Sequence, residues 1–508
     1  MRGLVVWSLA LSVILASGVT AQVTTPEVPN PEILEGYIGN LEIAWPRMRD
    51  LQGGGARAMG MGGAYVAISD DATAVSWNPA GLFQKDNPFE KPVMSLSWRS
   101  FGNKSEFRNT GFGSAQQFAM DDRFNDIDFA SFLAPIRIKG HTFIFSGAYG
   151  RQGEEAYSNA VSILDSTFYW RPGEDRSGKK TDSLEGILNP WNYDWDNYYH
   201  SAINALNMGF GTRLYEDLTF GLAVNAYFGR AVMEGRQSIL EQGLVIRADG
   251  LQRGTAEFVR YVIDSTSYSG VYFTVGFQYA IDKLRAGLVV KTPHTLKEDI
   301  DVTSENTIYE NGISRSTVTI YSDNNVLEID MPLVVQFGTA YSAMENLLLA
   351  ADLEYRNSSG DKVNRRDSLR LVPGGKDTEY FTEIDPHWNN VFGVRLGAEY
   401  LLNTGSAAVP MVVFRGGFGW SQVPESNIDG ATWLGGEDVE FQTSTASKSR
   451  LSLGAGARWS QIHLDFAFYH ESLDLKNETF ENLVPGLSAS NETKVKNNTF
   501  AMTFTGFF

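Results

Sequence analysis

The chain has 508 residues, a formal net charge of −18 and no cysteine. That charge argues against nucleic acid as a partner, and a chain without cysteine has no disulfide framework. Its mean hydropathy of −0.20 suits a water-soluble protein. It suits equally a membrane β-barrel, whose strands average lipid-facing against lumen-facing residues in any window.

In chain order, residues 1–21 read as a secretory signal: Arg2, an apolar stretch from Leu4 to Ala16, and a small-residue exit at Val19, Thr20 and Ala21, with export out of the cytoplasm as the consequence. Residues 22–92 lack sustained alternation, opening as the Pro-rich leader "VTTPEVPNPE" and becoming, over 53–83, dense in Gly and Ala. From 93 onward, period-two patterning predicts fourteen strands, near 93–101, 127–134, 141–150, 202–214, 217–229, 270–281, 284–292, 330–342, 347–357, 389–402, 410–420, 450–459, 462–471 and 496–508. In "GVYFTVGFQYAI", Val271, Phe273, Val275, Phe277, Tyr279 and Ile281 share one side. The chain closes on "TFAMTFTGFF", where Phe500, Met502, Phe504, Gly506 and Phe508 alternate with Thr499, Ala501, Thr503, Thr505 and Phe507. Such a face on a soluble edge strand invites aggregation, whereas hydrocarbon accommodates it.

Short connections such as "YED", "DK", "AMEN" and "QI" alternate with long ones. This two-sided rhythm predicts an all-β, antiparallel, 14-stranded transmembrane barrel over 93–508, in the bacterial outer membrane with both termini periplasmic. The long stretches 151–201, 230–269 and 293–329 are expected as external loops, with "SNAVSILDSTFYW" (158–170) a short helix over the mouth. An open barrel of that width is a pore, so the small-residue segment is expected to plug it. The strand parity turns Arg99, Arg213, Arg285, Lys291, Arg395, Arg415 and Arg458 inward beside Asp352, Glu354, Glu399 and Asp465. Asp70 and Asp71 on the plug are expected to pair with the Arg395, Arg415 and Arg458 cluster.

Enzymatic signatures are missing: there is no G-x-S-x-G elbow and no H-E-x-x-H helix, and the six histidines lack metal-like spacing. No enzyme activity, cofactor or metal is expected.

The stretch "GARAMGMGGAYVAISDDATAVSWNPAGL" resembles the N-terminal signature of the outer-membrane long-chain fatty acid transporter family and its related hydrocarbon-uptake channels, with Asn78, Pro79 and Ala80 matching that family's hatch turn. "MPLVVQFGTAYSAMENLLLAADLEYRN", "WNNVFGVRLGAEY" and "VFRGGFGWSQVPES" resemble strands of its C-terminal half, so the likeness covers about half the chain. The resemblance implies passive uptake of a hydrophobic small molecule such as a long-chain fatty acid. The hatch would gate it, and release is often sideways through a gap at an inward-kinked strand, for which Gly147 in the third strand is the candidate here. The competing reading is a barrel serving a bacterial protein-secretion system as scaffold or shuttle, which would give the chain a secretion partner besides outer-membrane lipid.

Overall fold

A computed structural model describes residues 53–83 and 91–508 apart from 112–113, 175–179, 248–249, 311–312, 370–377, 436–437 and 479–489. The expected signal peptide and the leader up to residue 52 lie outside the described residues. Two short helices, α1 (Ala56–Gly60) and α2 (Ala74–Trp77), and a 3-10 turn (Pro79–Leu82) precede eighteen strands. These are β1 (Val93–Gly111), β2 (Ser114–Ile138), β3 (His141–Glu174), β4 (Lys180–Arg213), β5 (Leu218–Arg247), β6 (Gly250–Ile281), β7 (Leu284–Lys291), β8 (His294–Glu310) and β9 (Ile313–Met331). There follow β10 (Val334–Met344), β11 (Leu347–Arg356), β12 (Val363–Leu369), β13 (Thr378–Ile384), β14 (Val391–Asn403), β15 (Met411–Gly435), β16 (Asp438–Arg458), β17 (Ile462–Glu478) and β18 (Ser490–Phe507).

Fourteen of them close a ring of antiparallel ladders: β1 to β7 in order, then β10, β11, β14, β15, β16, β17 and β18, which pairs back to β1. Closure leaves no strand edge for hydrocarbon to desolvate. The remaining four extend the wall beyond it, β8 on β6 and β9, and β12 on β9 and β13.

The two faces carry opposite chemistry. Phe337, Leu353, Phe392, Leu396, Phe414, Phe500 and Phe504 are exposed on the outside, while Asp352, Glu354, Arg395, Glu399, Arg415, Asp465 and Thr503 are buried within. This inverts the polarity of a soluble protein and requires an apolar solvent around the barrel. The expected alternation of the last strand holds: Phe504 is 45% exposed and its neighbour Thr503 4%.

Three expectations are corrected. The stretches read as loops at 151–201, 230–269 and 293–329 are largely strand, within β3, β4, β5, β6, β8 and β9. Residues 158–170, expected as a helix, belong to β3. Charge, Gly and Ser interrupt their alternation, but two strands already aligned by the barrel satisfy their backbone groups simply by continuing the ladder. Nor is the ladder broken at Gly147, which keeps register with Phe132 and Met208.

The wall is interrupted elsewhere. Lys291 pairs with Val334 and His294 with Met331, so one continuous register sets Pro293 opposite Pro332, two residues with no N–H to donate. Two strands further round, Arg356 pairs with Val391 and Val363 with Ile384, again in one register. Among the described residues no ladder pair joins 357–362 to 385–390 between them. The backbone N–H of Ser359 donates to Asn390 Oδ1 (3.1 Å) across this seam. His387 sits there at φ 51°, and Trp388 is buried against Val363, Ile329 and Met331.

Candidate functional site

Residues 53–83 lie inside the barrel, and small side chains are what let them. Ala56 N–H donates to Thr503 Oγ1 on β18 (2.7 Å), Ser131 Oγ on β2 to the Ala72 carbonyl (2.8 Å), and Ser452 Oγ on β16 to the Gly60 carbonyl (3.2 Å). On the other side, Asp352 on β11 accepts from the N–H groups of Tyr65 (2.6 Å) and Val66 (2.9 Å). The wall also yields by glycine: a Cβ on Gly221 of β5 would stand 2.1 Å from the Pro79 carbonyl carbon. Gly62 adopts φ 68°, and a Cβ there would meet the Phe418 nitrogen at 2.7 Å, so the tight α1 exit needs glycine twice over.

The Asn78, Pro79 and Ala80 turn is held by its first residue. Asn78 Oδ1 accepts from Ala80 N–H (3.1 Å), while Nδ2 donates to the carbonyls of Val66 (2.9 Å) and Phe277 on β6 (3.1 Å). Pro79 occupies the first helical position, where a missing N–H costs nothing. Tyr65 and Trp77 pack edge-on at 5.6 Å, and Trp77 Nε1 donates to the Gly54 carbonyl (2.9 Å).

The charges are arranged differently from expectation. Asp70 bonds Arg285 on β7 (3.0 Å) and Arg57 of its own segment (2.5 Å), rather than Arg395, Arg415 or Arg458. Asp71 accepts from Tyr65 Oη (2.5 Å) and from Thr73 N–H (2.9 Å) and Oγ1 (2.5 Å), staying within the segment, with Arg57 at 3.8 Å. The expected cluster is bound by wall carboxylates: Arg415 by Glu399 and Asp465 (both 2.7 Å), Arg458 by Asp465 (3.6 Å), and Arg395 by Glu354 (2.5 Å).

Arg57 is the link between the two groups, grasping Glu399 through Nε (2.9 Å) and Nη2 (3.0 Å). Its one available signal in the sequence was a lone cation within an otherwise small, apolar run. Burial alone would raise the Asp70 carboxyl, but Arg57 and Arg285 outweigh it and hold Asp70 below the usual carboxylate range. Burial opposes the charge on Arg57, yet Asp70 and Glu399 leave it bound even more firmly to its proton than a free guanidinium.

Between this segment and the proline break lies a cavity of about 50 Å³. Its floor is Gly53, Ser76 and Trp77, and its walls include Tyr272, Lys291, His294, Met331, Gln336 and Arg356. Rings crowd one side: Tyr272 stacks on His294 at 4.7 Å, with Tyr227 5.2 Å from Tyr272 and 5.5 Å from His294. A cavity that takes benzene is on the order of 150 Å³, so a ring enters only if a wall or the floor moves.

Neither a known protein-family model nor a curated protein matches the chain. Solved structures do match in fold. A FadL homologue from Pseudomonas aeruginosa aligns over 90% of this chain and 98% of its own, with a TM-score of 0.54 at 12% identity. A deletion mutant of the monoaromatic hydrocarbon channel TodX aligns over 91% and 100% (TM-score 0.55, 13% identity). The toluene transporter TbuX of Ralstonia pickettii aligns over 90% and 99% (0.50, 13%). The chain therefore has the fold of these transport barrels.

Proposed function

We propose that the chain is an outer-membrane channel for the passive uptake of hydrophobic small molecules, long-chain fatty acids among them, with residues 53–83 as the hatch that closes its lumen. The observation that carries this reading is a small-residue segment seated across the barrel, directly beneath an aromatic-walled cavity too small to admit a ring while the segment stays in place. Both termini face the periplasm, and the extended strands rise on the outside of the cell. Asn78, Pro79 and Ala80 set the hatch turn, and Asp70 with Arg57 fastens it to Arg285 and Glu399. Arg395, Arg415 and Arg458 are held by wall carboxylates, and Arg415 shares Glu399 with Arg57 of the hatch. Similarity in fold to a toluene transporter and a monoaromatic hydrocarbon channel supports an apolar cargo. Each methylene moved from water into hydrocarbon yields about 0.8 kcal/mol, so such a route needs no energy source.

The test is uptake of labelled oleate and labelled toluene by cells in which this protein is the only such channel, comparing wild type, a deletion strain and Pro79→Ala. Uptake of either compound that requires the protein and changes at least about threefold with the turn variant supports the reading. Equal uptake in wild type and deletion strain, with the assembled barrel confirmed in the outer membrane, refutes it.

A further inference from the structure

His294, which lines the cavity, carries a buried polar atom whose bonding capacity is unmet. His294 Nδ1 lies 3.2 Å from the Thr292 carbonyl, which can only accept, so Nδ1 carries the hydrogen. A neutral imidazole then presents Nε2 as a bare acceptor. Burial pushes the ring down to about 4, with Lys291 adding to the effect and the Thr292 bond opposing it, so it is neutral at physiological pH. Nε2 is shut off from solvent and has no hydrogen-bond partner. Two of the cations lining the same space, Arg356 and Arg395, are engaged by Glu354, at 2.6 and 2.5 Å. Around the orphan acceptor are ring faces, Tyr272 stacked upon it and Tyr227 beside it.

On the ring-lined side of this pocket, a lone pair lacking a donor favours a neutral ligand that brings an O–H over the same skeleton without it, because a buried acceptor left unmatched costs more than a matched one returns. We propose that His294 makes this cavity selective for hydrophobic molecules bearing a hydroxyl donor, phenols above all, ahead of the corresponding hydrocarbons. This rests on the uptake reading given above and names the cargo class within it. The stacked Tyr272 and His294 supply the flat surface, and His294 Nε2 receives the phenolic hydrogen. The floor at Gly53, Ser76 and Trp77 belongs to the hatch, so its displacement is what makes room.

The test is calorimetric binding of p-cresol and p-xylene, which differ by one hydroxyl for one methyl, to the purified full chain in detergent. Wild type is expected to bind p-cresol about tenfold or more tightly than p-xylene. His294→Phe, which keeps a flat ring at this position but has no acceptor, should bring the ratio within about twofold through a loss of p-cresol affinity. His294→Met repeats the comparison should the Phe variant fail the heat-modifiability assay for a closed barrel. Binding of p-xylene by wild type with a ratio near one, or a ratio that survives both substitutions, overturns the selectivity and leaves the hydrophobic channel standing. Binding of neither compound overturns the cavity as a cargo site altogether, and this inference with it.

Discussion

At the scale of single residues, the inner segment is held by a few atoms with no substitute. Arg57→Leu removes one guanidinium from three carboxylates, Glu399, Asp70 and the more distant Asp71. Losing one member of a buried pair costs about 3–5 kcal/mol. Because Arg415 and Arg285 still hold Glu399 and Asp70, the expected loss lies at the low end, measured as lowered resistance to heat-induced unfolding. Ion conductance across planar bilayers should rise in the same variant if the segment closes the lumen. Gly221→Ala drives a methyl into the Pro79 backbone, and the expected result is failure to assemble a heat-modifiable barrel or a displaced turn, read by protease sensitivity of residues 53–83. The Asp70 carboxyl, held low by Arg57 and Arg285, contributes stability that is complete above its unfolded value of about 3.9 and lost only as pH falls through the lower folded value. Protease resistance of the segment should therefore persist at pH 4. The inward parity of Arg395, Arg415, Glu399 and Asp465 was legible from alternation alone. Their partners were not, since alternation fixes a side and says nothing of which charge across the lumen lies within 3 Å.

At the scale of elements, strand against loop was decided by neighbours. Residues 158–170 and 230–269 carry no strong strand signal, yet they continue ladders begun in the barrel. Prolines 293 and 332 were readable as breakers, but their facing each other follows from register. The seam at 357–362 and 385–390 gives a direct prediction: its amides should exchange hydrogen at least about tenfold faster than those of β11 and β14 beside it, measured by mass spectrometry in detergent. Within the seam, burial, together with Asp330, pushes the Asp361 carboxyl up to about 7. The folded state then keeps a proton that the unfolded chain has released above about pH 4, so stability falls as pH rises from 4 through 7. Asp361→Asn should raise the apparent melting temperature at pH 8 and leave it unchanged at pH 4. Equal shifts at both pH values would show that charge is not the cause.

At the scale of the whole molecule, the barrel is a consequence of bookkeeping that extends along the chain. An outer row of Phe, Leu and Tyr, an inner row of Thr, Gly and paired charges, and short turns on alternate connections leave a closed fourteen-strand ring as the arrangement without a free strand edge. Sequence by itself determined this much: the β class, the fourteen strands of the ring, which face meets hydrocarbon, and a small-residue N-terminal segment able to enter a lumen. These follow from period and composition, which are local. Tertiary structure alone decided that Arg57 rather than Asp71 reaches the wall, that Asp70 meets Arg285, that the ladder fails at two prolines and one seam, and that His294 is left without a donor among tyrosines. Each of those depends on residues tens to hundreds of positions apart being brought within bonding distance, and the closure and register of the barrel set that distance.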